Sequence, residues 1–321
     1  MMAKTWKTLL ASTLMSSAVM VGAVQAQTEY PNKPISLIVP FSPGGITDIL
    51  GRAIAEGMGQ HLKQTVVVEN KPGVAGSMGA NDMVGAKPDG YSLSLAPAGI
   101  FRQPYLQKTR YDPIKDLTYI ATYMDYDFVL AVKDDSPFKT LEDLVNFAKQ
   151  NPGKLDFSSA GRYTGNQLMM VALAKEAGLD VVHVPFRGDT EAITALLGNQ
   201  VQAVVSSSTI IPFLKDGKVR ALATAAPERP AAFADVPTLV ELGYDVTVPS
   251  PLGVAGPKDL PPEIVLRLEA AVKAAMEGER FQRLIGDYGI RTNFMDHKAY
   301  AEFAEQAFKH EKEVVEMLGK D

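Results

Sequence analysis

Two hydrophobic periods alternate along most of this chain. Residues 35–40 (ISLIVP) form a short continuous apolar run of the kind that fills a buried strand. Residues 48–60 then place Ile49, Arg52, Ala53 and Glu56 at helical spacing, and 65–69 (TVVVE) return to a β-rich run. That β-α-β succession predicts a parallel sheet. A helix over 77–87 and a strand over 91–95 continue it, followed by two β-rich runs between Leu117 and Val132. The alternation resumes with helices over 141–150, 164–177 and 190–197 and strands over 156–159, 181–184, 202–205 and 219–223. Two long amphipathic helices, 262–277 and 298–318, flank an apolar run at 252–255.

With 321 residues the chain exceeds what one hydrophobic core usually supports, so the pattern predicts two α/β lobes. We expect residues 27–126 to start the first lobe, 127–224 to form the second, and 225–321 to return to the first. No Gly/Ser linker separates them, so ordered strands must join the lobes and a hinged cleft must lie between them. Ligands of such folds sit where the carboxyl ends of strands meet helix N-termini.

The first 26 residues read differently. Lys4 and Lys7 precede an apolar stretch from Leu9 to Val24, and Val24-Gln25-Ala26 offers small residues for cleavage, the layout of a secretory signal peptide cut after Ala26. Ser12, Thr13, Ser16, Ser17 and Gly22 weaken the stretch as a membrane anchor. Composition is that of a globular protein: 46% hydrophobic, 21% charged, net charge −5 and no cysteine. The basic residues are scattered, which argues against a nucleic-acid partner. The absence of cysteine removes thiol nucleophiles and thiolate metal sites.

Five strand-to-helix loops are candidates for holding a ligand. The first is 39–48, where Phe41, Ser42, Gly44, Gly45 and Thr47 lead into a helix start that favours an anion, with Thr47 or Asp48 available as a cap. The second, 70–79, spells G-x-x-G-x-x-G and contains Ser77; it departs from the dinucleotide fingerprint and reads as a small-anion loop. The third, 158–165, combines Ser159, Gly161, Arg162, Tyr163 and Thr164, and Arg162 has a planar fork suited to a carboxylate. The fourth, 185–190, holds Arg187, which can pair with Asp189 or with a ligand; Asp189 or Thr190 caps the next helix. The fifth is the hydroxyl cluster 206–209, with Ser207 as its candidate.

Chemistry beyond binding has little support. His61, His183, His297 and His310 are far apart and lack metal-ligand spacing, and no serine has an evident activating base. A cleft without nucleophile, base, metal or cofactor predicts binding rather than turnover.

Several long motifs occur in order over the chain after residue 26: YPNKPISLIVPFSPGGITDILGR (30–52), VVVENKPGVAGSMG (66–79), KPDGYSL (87–93), YDPIKDLTYI (111–120), VPFRG (184–188), GKVRALATAAPER (217–229) and DVPTLVELGYD (235–245). In these the chain resembles the periplasmic solute-binding receptors of tripartite tricarboxylate transporters, the Bug-type proteins. The resemblance implies a type II periplasmic-binding-protein fold, two α/β lobes around a cleft that captures a small organic carboxylate. It implies a ligand loop at 41–47, a partner loop at 158–164, and membrane transporter subunits as partners of a monomeric receptor. A module presenting its ligand to a sensor kinase and an enzyme of the same compartment are the alternative readings. Two departures bear on the ligand: Arg162-Tyr163 stands where many relatives have small residues, and serines occupy the end of the strand near 204–206 where many have an acid. A second cation and no acid predict a dicarboxylate or aromatic carboxylate in preference to an amino acid.

Overall fold

The computed structural model describes residues 30–318. The expected signal peptide and its cleavage site lie outside the described residues. In chain order the elements are β1 (Ile35–Val39), α1 (Ile46–Leu62), β2 (Val66–Asn70), α2 (Met78–Met83), β3 (Ser92–Pro97), α3 (Gly99–Leu106), β4 (Leu117–Asp125), β5 (Val129–Lys133), α4 (Leu141–Gln150), β6 (Leu155–Ser159), α5 (Gly165–Ala177), β7 (Val181–Pro185), α6 (Asp189–Leu197), β8 (Ala203–Ser206), α7 (Ile211–Lys215), β9 (Val219–Thr224), β10 (Pro251–Pro257), α8 (Pro262–Glu277), α9 (Glu279–Tyr288) and α10 (His297–Leu318). They build two five-stranded mixed sheets, ordered β2-β1-β3-β10-β4 and β7-β6-β8-β5-β9.

Local chemistry explains most element ends. In α4, Leu141, Leu144, Val145 and Ala148 fall on one buried face, and Thr140 with Asp143 forms a capping box at its start. Helix α2 is shorter than the sequence predicts. A 3-10 turn at Val74–Gly76, with Val74 and Ala75 at positive φ, precedes it, and the helix stops at Met83, ahead of Gly85 and Pro88.

In the first sheet β1 pairs in parallel with β2 and β3, whereas β10 enters antiparallel between β3 and β4. Ile35, Leu37, Ile38 and Val39 of this inner β1 are buried, as its unbroken apolar run requires. In the second sheet β6 pairs in parallel with β7 and β8, and β5 runs antiparallel between β8 and β9. Each sheet has its own apolar cluster: Phe101, Tyr119 and Tyr300 belong to the first, and Ile193, Val204 and Phe233 to the second.

Two stretches connect the sheets, residues 126–128 and 225–250, and they are bonded to one another. Tyr126 N donates to Ser250 O (2.9 Å), Ala225 N to Phe128 O (3.0 Å) and Val248 N to Ala225 O (3.0 Å). Arg291, just after α9, braces the first connection by pairing with Asp125 and Asp127, each at 3.0 Å. Burial raises the pKa of both acids despite the arginine beside them.

Candidate functional site

Helix α1 begins at the end of a buried inner strand, so its start faces the space between the two sheets. Its N-cap is Gly45, which has no side chain to satisfy the helix's first amides. The sequence offered Thr47 or Asp48 as a cap, and neither fills that role. The Asp48 carboxylate accepts from Gly44 N, Arg52 and Asn70, while the Thr47 hydroxyl shares a 2.6 Å hydrogen bond with Tyr126. Burial opposes charge on Asp48, but these donors together outweigh it and hold its carboxyl below the usual range. The free helix start instead gives Ile46 N to Thr209 Oγ1 of the other lobe, at 2.9 Å.

The opposing wall satisfies itself. Thr164 caps α5 by accepting from Gln167 N (3.4 Å) and donates to Gly161 O (2.9 Å). Behind it, Asp189 opens α6 and is 7% exposed, with Oδ1 accepting from Asn166 Nδ2 (3.0 Å) and Oδ2 from both Ser207 N (3.2 Å) and the Ser207 hydroxyl. Burial pushes the Asp189 carboxyl up, against the pull of those donors.

The floor comes from the first connecting stretch. Tyr126 and Phe128 stack with ring centres 5.7 Å apart and planes 10° off parallel. A Cβ on Gly165 would come within 2.4 Å of the Phe128 ring, so the start of α5 reaches the floor only because that residue is glycine. Walls and floor enclose about 40 Å³, bordered by Phe41, Gly45, Thr47, Tyr126, Thr164 and Asp189 among others. That is room for about three water molecules. At the rim the lobes meet directly: Ser42 donates to Arg187 O (3.2 Å) and Glu191 (3.2 Å), and Arg102 of α3 donates to Tyr163 O (2.8 Å). Arg102 is 2% exposed and held by a two-bond ion pair to Glu311 of α10, at 2.6 and 2.7 Å.

A wider groove of about 700 Å³ lies elsewhere, between α7, residues 226–232 and the end of α9. Its walls carry no N-terminus of a long helix, so the enclosed cleft is the better ligand site. Among the described residues no three His, Cys, Asp or Glu side chains gather as metal donors would.

The family model for the tripartite tricarboxylate transporter family receptor matches residues 50–320. The chain belongs to this receptor family. A Cupriavidus necator relative, the "UPF0065 protein in gbd 5'region", is 39% identical over 296 residues, covering 92% of this chain and 90% of that one. The solved periplasmic binding protein BugD is 30% identical with a TM-score of 0.86, over 91% of this chain and 99% of its own. The MatC protein of Rhodopseudomonas palustris with bound malate is 28% identical with a TM-score of 0.82, over 89% of this chain and 99% of its own. These neighbours share the two-lobed periplasmic-binding-protein fold that the motifs imply.

Among the residues singled out in the sequence of this receptor, Phe41, Ser42, Gly45, Thr47 and Thr164 border the cleft. Gly44 and Arg187 sit exposed at its rim; Gly44 takes φ +85°, a turn that favours glycine. Ser207 stands behind the wall, against Asp189. Ser159 faces away from the ligand space, bonded to Gly161 and to His183 Nε2 at 2.6 Å.

Two groups of the predicted residues lie away from this cleft. Ser77 is fully buried and spends its hydroxyl on Val74 O (2.8 Å), and Gly79 lies so close to Ser94 that a Cβ would fall 1.8 Å from the hydroxyl oxygen. The 70–79 loop is therefore packed for support, and of its residues Ala75 borders the cleft. Arg162 and Tyr163 do not border it either: Arg162 is exposed, with its guanidinium 5.3 Å from the Tyr163 ring. The cause is backbone geometry, because Tyr163 takes φ +62° and is pinned through its own carbonyl and amide by Arg102 and Gln167. The sequence reading did not name Tyr126, Phe128, Asn166 or Ser250 as cleft residues, and it offered Asp189 or Thr190 as a cap.

Proposed function

We propose that this receptor closes on a small organic carboxylate in the periplasm and presents it to the membrane subunits of a tripartite tricarboxylate-type transporter. In this reading residues 1–26 are removed on export, the mature chain acts as a monomer, and no catalysis or cofactor takes part. One observation carries the binding claim: α1 starts without a side-chain cap, at the edge of an enclosed cleft, with the Ile46 amide directed out of its own lobe. A carboxylate is a natural partner for such amides, both by hydrogen bonding and through the helix dipole.

An enclosed volume of about 40 Å³ does not admit a dicarboxylate, so the walls must part for capture and close again over the ligand. Paired connections at 126–128 and 225–250 suit such hinge motion. Within the carboxylates we favour a dicarboxylate, since MatC is described with malate, and aromatic carboxylates belong in the same test. Calorimetry of the mature protein against dicarboxylates and aromatic carboxylates is the deciding experiment, with small-angle scattering to follow closure. We expect saturable binding, a smaller radius of gyration with ligand, and loss of affinity in Gly45→Val, whose side chain would press toward Thr190 and Thr209. Absence of binding across the panel, or wild-type affinity in a folded Gly45→Val protein, would overturn the reading. Co-purification of membrane subunits with the tagged receptor tests the transport partnership, and recovery of a sensor kinase instead would replace it.

A further inference from the structure

One bond between the lobes lies outside the ligand space. Gly99 borders the cleft, and one turn further along α3 the Arg102 side chain turns toward α10. There Tyr105 stacks on Phe308 with ring centres 4.9 Å apart, and one turn from each ring Arg102 meets Glu311, the helical spacing that puts both pairs on one seam. Glu311 takes Nε and Nη2 of the guanidinium. Nη1 is left for the second lobe, where it donates to Tyr163 O at 2.8 Å.

This bond differs from its neighbours across the gap. The Ser42 bonds to Arg187 and Glu191 are exposed, and the Ile46 amide that meets Thr209 is the group a ligand carboxylate would claim. Arg102 is 2% exposed, and neither it nor Glu311 nor Tyr163 borders the cleft. Its bond to Tyr163 therefore takes no account of the ligand's identity, yet it must break when the lobes part. The ion pair fixes the guanidinium on the first lobe beforehand, so little side-chain freedom is lost when the carbonyl arrives. Tyr163 presents that carbonyl from φ +62°, a conformation tyrosine rarely adopts, and its amide is held by Gln167.

We propose that Arg102 is a latch, a positioning residue that holds the closed form through Tyr163 O and so sets how long a ligand stays bound. The proposal rests on the closing motion described above and names what keeps the lobes shut. A contact made only in the closed form shifts the equilibrium toward it by the strength of that contact, about tenfold or more for a hydrogen bond to a charged group. Because the latch touches no ligand, every ligand gains by the same factor, and the gain appears in the release rate rather than in selectivity.

The chain has no cysteine, so a dye pair at Lys108→Cys, just past α3, and Lys175→Cys, in α5, reports on the two lobes by energy transfer. Single molecules give the ratio of closed to open forms, and stopped flow gives release rates with malate, succinate and benzoate as probes. Two variants approach the bond from its two sides. Arg102→Lys keeps a charge for Glu311 but loses the planar fork that serves both partners. Tyr163→Pro leaves the ion pair intact and forbids the positive φ. Each should lower the ligand-free ratio of closed to open about tenfold or more and speed release of every probe that binds by a common factor of that size. The double variant should add less than about threefold to either, since both remove one bond. Tyr163→Gly, which keeps the carbonyl and the amide, should stay within about threefold of wild type.

Lower stability in urea with unchanged ratio and rates would show that Arg102 only ties α3 to α10, and would overturn the latch while leaving the carboxylate reading standing. Factors that differ more than about threefold between probes, or a Tyr163→Gly protein as impaired as Tyr163→Pro, overturn it as well. If no probe binds, the carboxylate reading falls and the ligand-free ratio still decides the latch. A single unchanging distance in every protein, with and without the probes, overturns closure and latch together.

Discussion

The two helix starts that face each other across the cleft are treated in opposite ways. Helix α5 is closed by its own Thr164, and its neighbour Asp189 is enclosed by Asn166 and Ser207 of the same lobe. Helix α1 has a glycine at that position and sends an amide across the gap to Thr209. A helix end must satisfy its amides somewhere, so leaving one uncapped reserves it for a partner from outside the lobe. One wall is finished before ligand arrives, and the other is completed by whatever fills or closes the cleft.

The most severe way to disturb this arrangement is to remove the bond that ties the finished wall to the first lobe. Arg102→Ala would strand Glu311, itself 6% exposed, without its partner and release Tyr163 O. We expect a loss of about 3–5 kcal/mol in urea unfolding; a loss below about 1 kcal/mol would mean that Glu311 finds another partner or neutralises cheaply. Next comes a change that makes the walls alike. Gly45→Asp would give α1 a cap and place negative charge where the ligand carboxylate belongs, so affinity for the best-binding acid should fall about a hundredfold. Its unfolding free energy should move by only a few tenths of a kcal/mol, because glycine is already a tolerable cap.

A smaller effect is expected from acid. His183, stacked on Phe157 behind the second wall, has its pKa lowered to about 4 by burial and by the nearby Arg162. An unfolded histidine titrates near 6.5, so between that pH and about 4 the unfolded chain binds more protons, and stability falls as the pH drops. Allowing for partial solvent screening, the loss should be about 2 kcal/mol, and a His183→Gln protein should show a flatter profile over that window. Identical profiles for the two proteins would show that His183 is free to charge in the fold. The mildest change is Thr164→Ala, which removes the cap from α5; about 1 kcal/mol of stability should go. Its effect on ligand affinity should be well below that of Gly45→Asp, and the reverse order would mean that the second wall carries the anion.

Much of this molecule was legible in its hydrophobic periods. The bounds of α4 and α8 coincide with the expected runs because buried residues recur cleanly through both. Helices α3, α7 and α9 were not anticipated. Pro104 sits inside α3 and α7 is five residues long with proline in its first turn, so neither projects a regular apolar stripe; α9 does carry one, Phe281, Leu284, Ile285 and Tyr288, which the sequence reading passed over. The loop at 41–47 was visible as a cleft wall because a strand, two glycines and a helix start occur in succession. Tyr126 and Phe128 were invisible as a floor: in sequence they belong to a β-rich run, and only the crossing between sheets turns their rings toward the ligand space. The direction of Arg162 was not legible, because a charged fork in a loop carries no orientation of its own and Tyr163 beside it takes a left-handed backbone.

Strand β10 lies between β3 and β4 although about 150 residues of chain separate it from β3. The second sheet is built from a continuous stretch, Val129 to Thr224, and can assemble as soon as that stretch is available. The first sheet cannot close until the strand from Pro251 arrives, so as the chain emerges from its N-terminus β3 and β4 wait with bare edges. Assembly order is thus the reverse of sequence order. The lobe that begins the chain is the one completed last, and a chain stopped before Pro251 would pair its second lobe with a first that has an open seam.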